Sequence, residues 1–142
     1  MVSIADSEDF PNLKVSDFEE TSCETSQYNC IAWAAGVNDE WWEPSADGVW
    51  PGDVPRDITL DSIVKLYSRF GYELCGAGDH EPGFEKIAIY GERFEYEHAA
   101  RQLPDGGWTS KLGSGIDISH KNLDCIAGGA YGDVVAFLRR PL

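Results

Sequence analysis

The feature that most restricts the fold of this chain is a change of hydrophobic period at Gly71. Before it, "TLDSIVKLYSRF" (59–70) places Ile63, Leu66, Tyr67 and Phe70 on one face at helical spacing. Thr59 is the N-cap, Lys65 and Arg69 fall near the negative end of the backbone dipole, and Gly71 ends the helix. After Gly71 the period is two. "FEKIAIYG" (84–91) reads as a strand, and "RFEYEHAARQL" (93–103) alternates so that Phe94, Tyr96, His98 and Ala100 share one face. "PDGG" (104–107) is a turn, with Pro fixing φ and Gly supplying a positive one; "WTSKLG" (108–113) returns from it, and "YGDVVAFLRR" (131–140) adds a last strand. An earlier short helix opens at Asn29, runs from Cys30 to Ala35 and stops at Gly36. Helices first and an antiparallel sheet afterwards predict an α+β fold rather than alternating β-α-β units.

At 142 residues the chain has the length of one domain, 1–142, with no internal repeat or linker. Residues 1–26 are polar and acidic, with seven acids against Lys14, and are expected to wrap the domain. Net charge is −14, from 25 acids and 11 bases. That disfavours nucleic acid and anionic membrane surfaces as partners, and suits a basic protein or a neutral or cationic substrate. No apolar run approaches the ~18 residues of a membrane helix. The start "MVSIADSEDFPNL" has no basic n-region and no apolar h-region, so a cytoplasmic location is expected, with delivery as an effector the alternative.

Cysteines stand at 23, 30, 75 and 125 without a CxxC, and His80, His98 and His120 lack metal-ligand spacing. Neither a metal nor a cofactor is expected, nor are disulfides. Cys30 differs from the others in opening a helix, where the dipole and free N–H groups favour the thiolate. Those N–H groups would also suit an oxyanion. A thiolate nucleophile needs an imidazole, and His98 is the candidate on the strand pattern.

A helix-opening Cys followed by a sheet whose early strand carries His, and whose next strand carries a third polar residue, resembles the papain-like superfamily. The similarity is to its compact NlpC-type and CHAP-type amidases and peptidases. In "HAARQLPDGGWTSK", His98 would be the general base and Ser110 falls on the third-residue position, with Asp117 and His120 as reserve orienters. A three-residue hairpin loop puts Ser110 on the face of His98, whereas a four-residue loop puts Thr109 and Lys111 there. The resemblance implies N-terminal helices packed on a small antiparallel sheet, with Gln27 or Tyr28 as a second oxyanion donor. The chain is also similar to small bacterial proteins carrying NCxxWAxG and HAARQ…WTSKLG signatures, a likeness that spans roughly residues 28–140 and implies no activity.

Trp41, Trp42 and Trp50, in the Pro-rich stretch 38–57, either line a substrate cleft or pack their loop onto the core. Two functions follow. One is a cysteine hydrolase or transferase acting on a peptide, isopeptide or muropeptide amide or a thioester, through Cys30 and His98. The other is a non-catalytic acidic binding protein, of the immunity type, for a basic partner.

Overall fold

The computed structural model describes residues 10–12, 18–22, 25–45, 48–112 and 115–142. Most of the expected wrapping segment 1–26, together with Cys23, lies outside them. Seven strands form one sheet: β1 (Phe18–Ser22), β2 (Glu73–Cys75), β3 (Phe84–Glu92), β4 (Glu95–Gln102), β5 (Trp108–Lys111), β6 (Asp117–His120) and β7 (Asp133–Pro141). Their order across the sheet is β1-β6-β5-β4-β3-β7-β2, and the neighbouring pairs are antiparallel. Two helices accompany it, α1 (Cys30–Ala34) of five residues and α2 (Leu60–Ser68) of nine.

This corrects the expected papain-like fold. A seven-stranded antiparallel sheet organises the described residues, not N-terminal helices on a small sheet. Three strands escape the sequence reading. Phe18–Ser22 lies in the segment expected to wrap and is instead an edge strand, β2 is three residues long, and β6 carries Asp117 and His120 at its two ends.

Both faces of the sheet are covered, which is why the central β3 is buried almost continuously. On one face Ile87, Ile89, Ala99 and Leu138 pack against α1 and α2 through Ile31, Ala32, Ile63, Leu66 and Tyr67. On the other, Ala88, Tyr90, Ala100, Trp108 and Ile118 meet Phe10, Leu112 and a 3-10 turn, Leu123–Ile126, that carries Cys125. Helix α1 is locally fixed at its start. Asn29 Oδ1 accepts from the N–H of Ala32 and of Trp42, and its Nδ2 donates to the Trp42 carbonyl at 2.7 Å. Its end turns at Gly36, whose φ of +83° a side chain rarely adopts.

One irregularity decides which residues meet. Tyr90 pairs with His98 and Gly91 with Tyr96, so Glu97 is an extra residue in β4. Across this bulge the alternation slips by one. Tyr96 packs on the helix-covered face, while His98, paired with Tyr90 and followed by Ala100, lies on the opposite one. Phe94, Tyr96, His98 and Ala100 therefore do not share a face as the strict period of two predicts.

Candidate functional site

Cys30 packs with Ala99 on the helix-covered face, and His98 stands on the other side of the same strand. The structure does not bring the expected nucleophile and base together. Burial pushes the Cys30 thiol up to about 11, against a smaller opposing pull from the backbone at Ala99, Ile31 and Cys30 and from Lys111. At neutral pH it is a thiol. A five-residue helix places few dipoles behind its N-terminus, and desolvation outweighs them.

His98, Ser110 and His120 do come together. The loop is five residues long, with Gln102 pairing Trp108, and this register puts Ser110 on the face of His98. His98 Nε2 lies 3.0 Å from Ser110 Oγ, and Ser110 Oγ lies 2.9 Å from His120 Nε2. The directions of these bonds follow from one end. His120 Nδ1 is 2.9 Å from the Asn122 carbonyl, which only accepts, so Nδ1 carries the proton and Nε2 accepts from the serine hydroxyl. Ser110 Oγ then accepts from the Nε2–H of His98. Both rings are neutral in this chain, and burial pushes both below the ordinary histidine range.

A serine hydroxyl donating to an imidazole is the arrangement of an activated alcohol. Here both Ser110 and His98 are 0% exposed, so no substrate carbonyl reaches the oxygen. His98 is enclosed by the Tyr131 ring, stacked at 4.0 Å, and by Tyr90 at 5.5 Å. The chain satisfies Ser110, His120 and the Nε2 of His98, leaves the buried His98 Nδ1 without a hydrogen-bond partner, and registers β4, β5 and β6 against one another.

The other named residues occupy the helix-covered face. Asp117, buried, accepts from the Tyr28 hydroxyl at 2.5 Å, and Lys111, its partner across β5–β6, lies 5.3 Å from the Tyr28 ring centre. Tyr28 is thus committed to Asp117 and stacks on Trp33, while Gln27 is exposed and its N–H donates to Thr25. Trp42 and Trp50 are core residues: Trp42 stacks on Phe70 at 4.8 Å, and Trp50 Nε1 donates to the Pro55 carbonyl. Trp41 is half-buried, and its carbonyl accepts from the N–H of Val49. The tryptophans pack their loop onto the core.

The clefts lie elsewhere. One of about 530 Å³ is bordered by Phe18, Leu103, Asp105 and His120. A neighbouring one of about 420 Å³ is bordered by His80, Gln102, Trp108 and Phe137, and Lys121 lines both. Among the described residues, no group of three His, Cys, Asp or Glu is placed to hold a metal ion, and no helix is long and apolar enough to cross a membrane. Cys30 and Cys75 carry free thiols.

A family model described as a domain of unknown function, DUF7689, matches residues 19–139. The chain belongs to the DUF7689 family. The match takes in all seven strands except the first residue of β1 and the last two of β7, so the bulged sheet and the histidine–serine chain both fall within the DUF7689 domain. No curated protein and no solved structure matches the chain.

Proposed function

We propose that this chain is a non-catalytic acidic binding protein, of the immunity type, that covers a basic surface on a protein partner. The observation that supports it most is how the bases are used. Arg139 lies between Glu73 and Glu81, Arg140 pairs with Glu85, and Arg69 pairs with Asp53. Lys86 is buried on Glu81, Lys111 is buried on the Gly115 carbonyl, and Arg101 lies over Trp33. Meanwhile Glu92, Glu95, Glu97 and Asp133 are exposed, on a chain whose net charge is −14. The cysteine-hydrolase reading, with a peptide-like substrate, needs Cys30 within reach of His98, and Cys30 packs with Ala99 on one face of β4 while the adjacent His98 points to the other. The proposal excludes nucleic acid and anionic membranes as partners. It also sets the protein in the cytoplasm, where free thiols persist.

The test is affinity capture from the cells that make the protein. Wild type is compared with Cys30→Ser and with a Glu92→Lys, Glu95→Lys, Glu97→Lys triple variant. A basic protein is expected on wild type and Cys30→Ser alike, released at about 0.5 M salt, where charges are screened within a few ångströms. The triple variant is expected to lose it. Retention by the triple variant, or a partner held only through a bond to the Cys30 sulfur, would overturn the proposal.

A further inference from the structure

The β3–β4 hairpin concentrates several local costs in four residues, Glu92-Arg93-Phe94-Glu95. Arg93 takes a φ of +53°, the one described non-glycine residue with a positive φ. That region is disfavoured for a side chain of this kind. Glu92 and Glu95 are direct cross-strand partners, which sets like charges opposite each other. Phe94 is 79% exposed, the most exposed aromatic ring among the described residues. Strain, like-charge pairing and an exposed aromatic ring all work against a stable isolated hairpin, and such departures gather where a surface serves a partner.

The ring is not alone. The chain segment before α2 lies along this hairpin: Leu60 N–H donates to the Phe94 carbonyl at 2.6 Å and Tyr96 N–H to the Ile58 carbonyl at 2.9 Å. Ile58, 46% exposed, is thereby fixed beside the Phe94 backbone. The exposed acids Asp57, Glu92, Glu95 and Glu97 flank these two apolar residues, and Asp133 pairs across β3 with Gly91. Arg93 is the only base in 57–61, 91–97 and 131–135.

Resting on the basic-partner reading above, we propose that Phe94, with Ile58 beside it, is the apolar anchor of that interaction. The matching surface is a pocket that admits one aromatic ring and is rimmed by Lys or Arg. Charge complementarity selects a protein of this kind, since the acidic surround would repel nucleic acid, an anionic membrane or a second copy of this chain. An anchor of this type carries most of the binding energy, while the surrounding acids set the association rate and its salt dependence.

The experiment installs a photo-reactive benzoylphenylalanine in place of Phe94 and, separately, in place of Leu74, which is 60% exposed on the edge strand β2. Cells making each form are irradiated, the cross-linked protein is identified and purified, and its Kd is measured for several forms. These are wild type, Phe94→Ala, Phe94→Leu, Glu95→Lys and Leu74→Ala. Cross-linking is expected from position 94 and not from 74, to a protein of positive net charge. Phe94→Ala is expected to weaken Kd about 30-fold or more, the hot-spot range at tenfold per 1.4 kcal/mol. Phe94→Leu should lose less, and Leu74→Ala nothing.

No product from position 94, or a Kd that Phe94→Ala changes by less than about threefold, overturns the anchor. A basic partner that Glu95→Lys releases but Phe94→Ala does not would leave the basic-partner reading standing without the anchor. An acidic, salt-indifferent partner held by Phe94 would do the reverse.

Discussion

Acidification toward pH 5 is expected to destabilise the protein steeply, through two rings that stay neutral in the fold. An imidazole in the unfolded chain takes up a proton near pH 6.5. Burial holds His98 well below that value and His120 below it, so under acid conditions the unfolded state binds protons that the native state does not. Stability is complete above about pH 6.5 and falls as pH drops below it. At pH 5, a ring still neutral in the native state accounts for about 2 kcal/mol of loss. His98, held further below the ordinary range, supplies the larger share and His120 adds to it. The hydrogen bonds give the same sign, because a proton on His120 Nε2 would displace the Ser110 hydroxyl from its acceptor. Urea midpoints measured between pH 7.5 and 5 test this, with His98→Gln expected to flatten the profile. Asp57 and Glu81 are pushed below the ordinary carboxylate range by their hydrogen bonds, so their contribution is lost only in stronger acid. A profile flat down to pH 5 would contradict a buried neutral pair.

Gly91→Ala is expected to cost about 3 kcal/mol or more, because the bulge brings backbone against the position a methyl group would take. A Cβ on Gly91 would lie 2.0 Å from the Glu95 carbonyl oxygen and 3.0 Å from the Tyr96 Cα, and neither is a flexible side-chain end that can swing away. The same carbonyl-to-glycine crowding recurs from the other neighbour, where a Cβ on Gly132 would sit 2.5 Å from the Gly91 oxygen. Relief would require the bulge to open, and with it the slip that separates Tyr96 from His98. Gly52→Ala and Gly76→Ala are the controls. A Cβ at either meets nothing within 4 Å, so both should stay within about 0.5 kcal/mol of wild type by urea denaturation. A Gly91→Ala protein as stable as these would mean that the strands do not approach as described.

The elements with strong local signals are legible in the sequence. Helix α2 is capped by Thr59 where the pattern places the cap, β4 and β5 fall within the segments read as strands, and β3 and β7 overrun theirs by one residue, at Glu92 and Pro141. The missed strands are those whose stability comes from neighbours. β1 is acidic and exposed and exists by pairing with β6, and β2 spans three residues held by β7. The meeting of His98 with Ser110 is legible only as one of two hairpin registers, and the five-residue loop that pairs Gln102 with Trp108 selects it. The separation of Cys30 from His98 is not legible. Cys30 meets Ala99, so ordinary alternation turns His98 to the other face, while one extra residue, Glu97, whose side chain gives no sign of a bulge, puts Tyr96 on the face of Cys30 instead. The available sign is Gly91 opposite, a glycine in a strand pattern, which marks a bulge or close backbone approach. A helix-opening cysteine and a strand histidine give chain order alone, and chain order does not say which side of the sheet each occupies.

Cys30 is a core thiol across the sheet from His98. The most direct measurement is its iodoacetamide labelling rate against pH, resolved by mass spectrometry, in wild type and His98→Gln. Slow labelling at pH 6 to 8, rising only as the pH approaches about 11, is the expected result, and the His98 change should not slow it. Fast labelling of Cys30 at pH 6 that His98→Gln abolishes would mean an activated thiolate–imidazole pair, and would contradict the account.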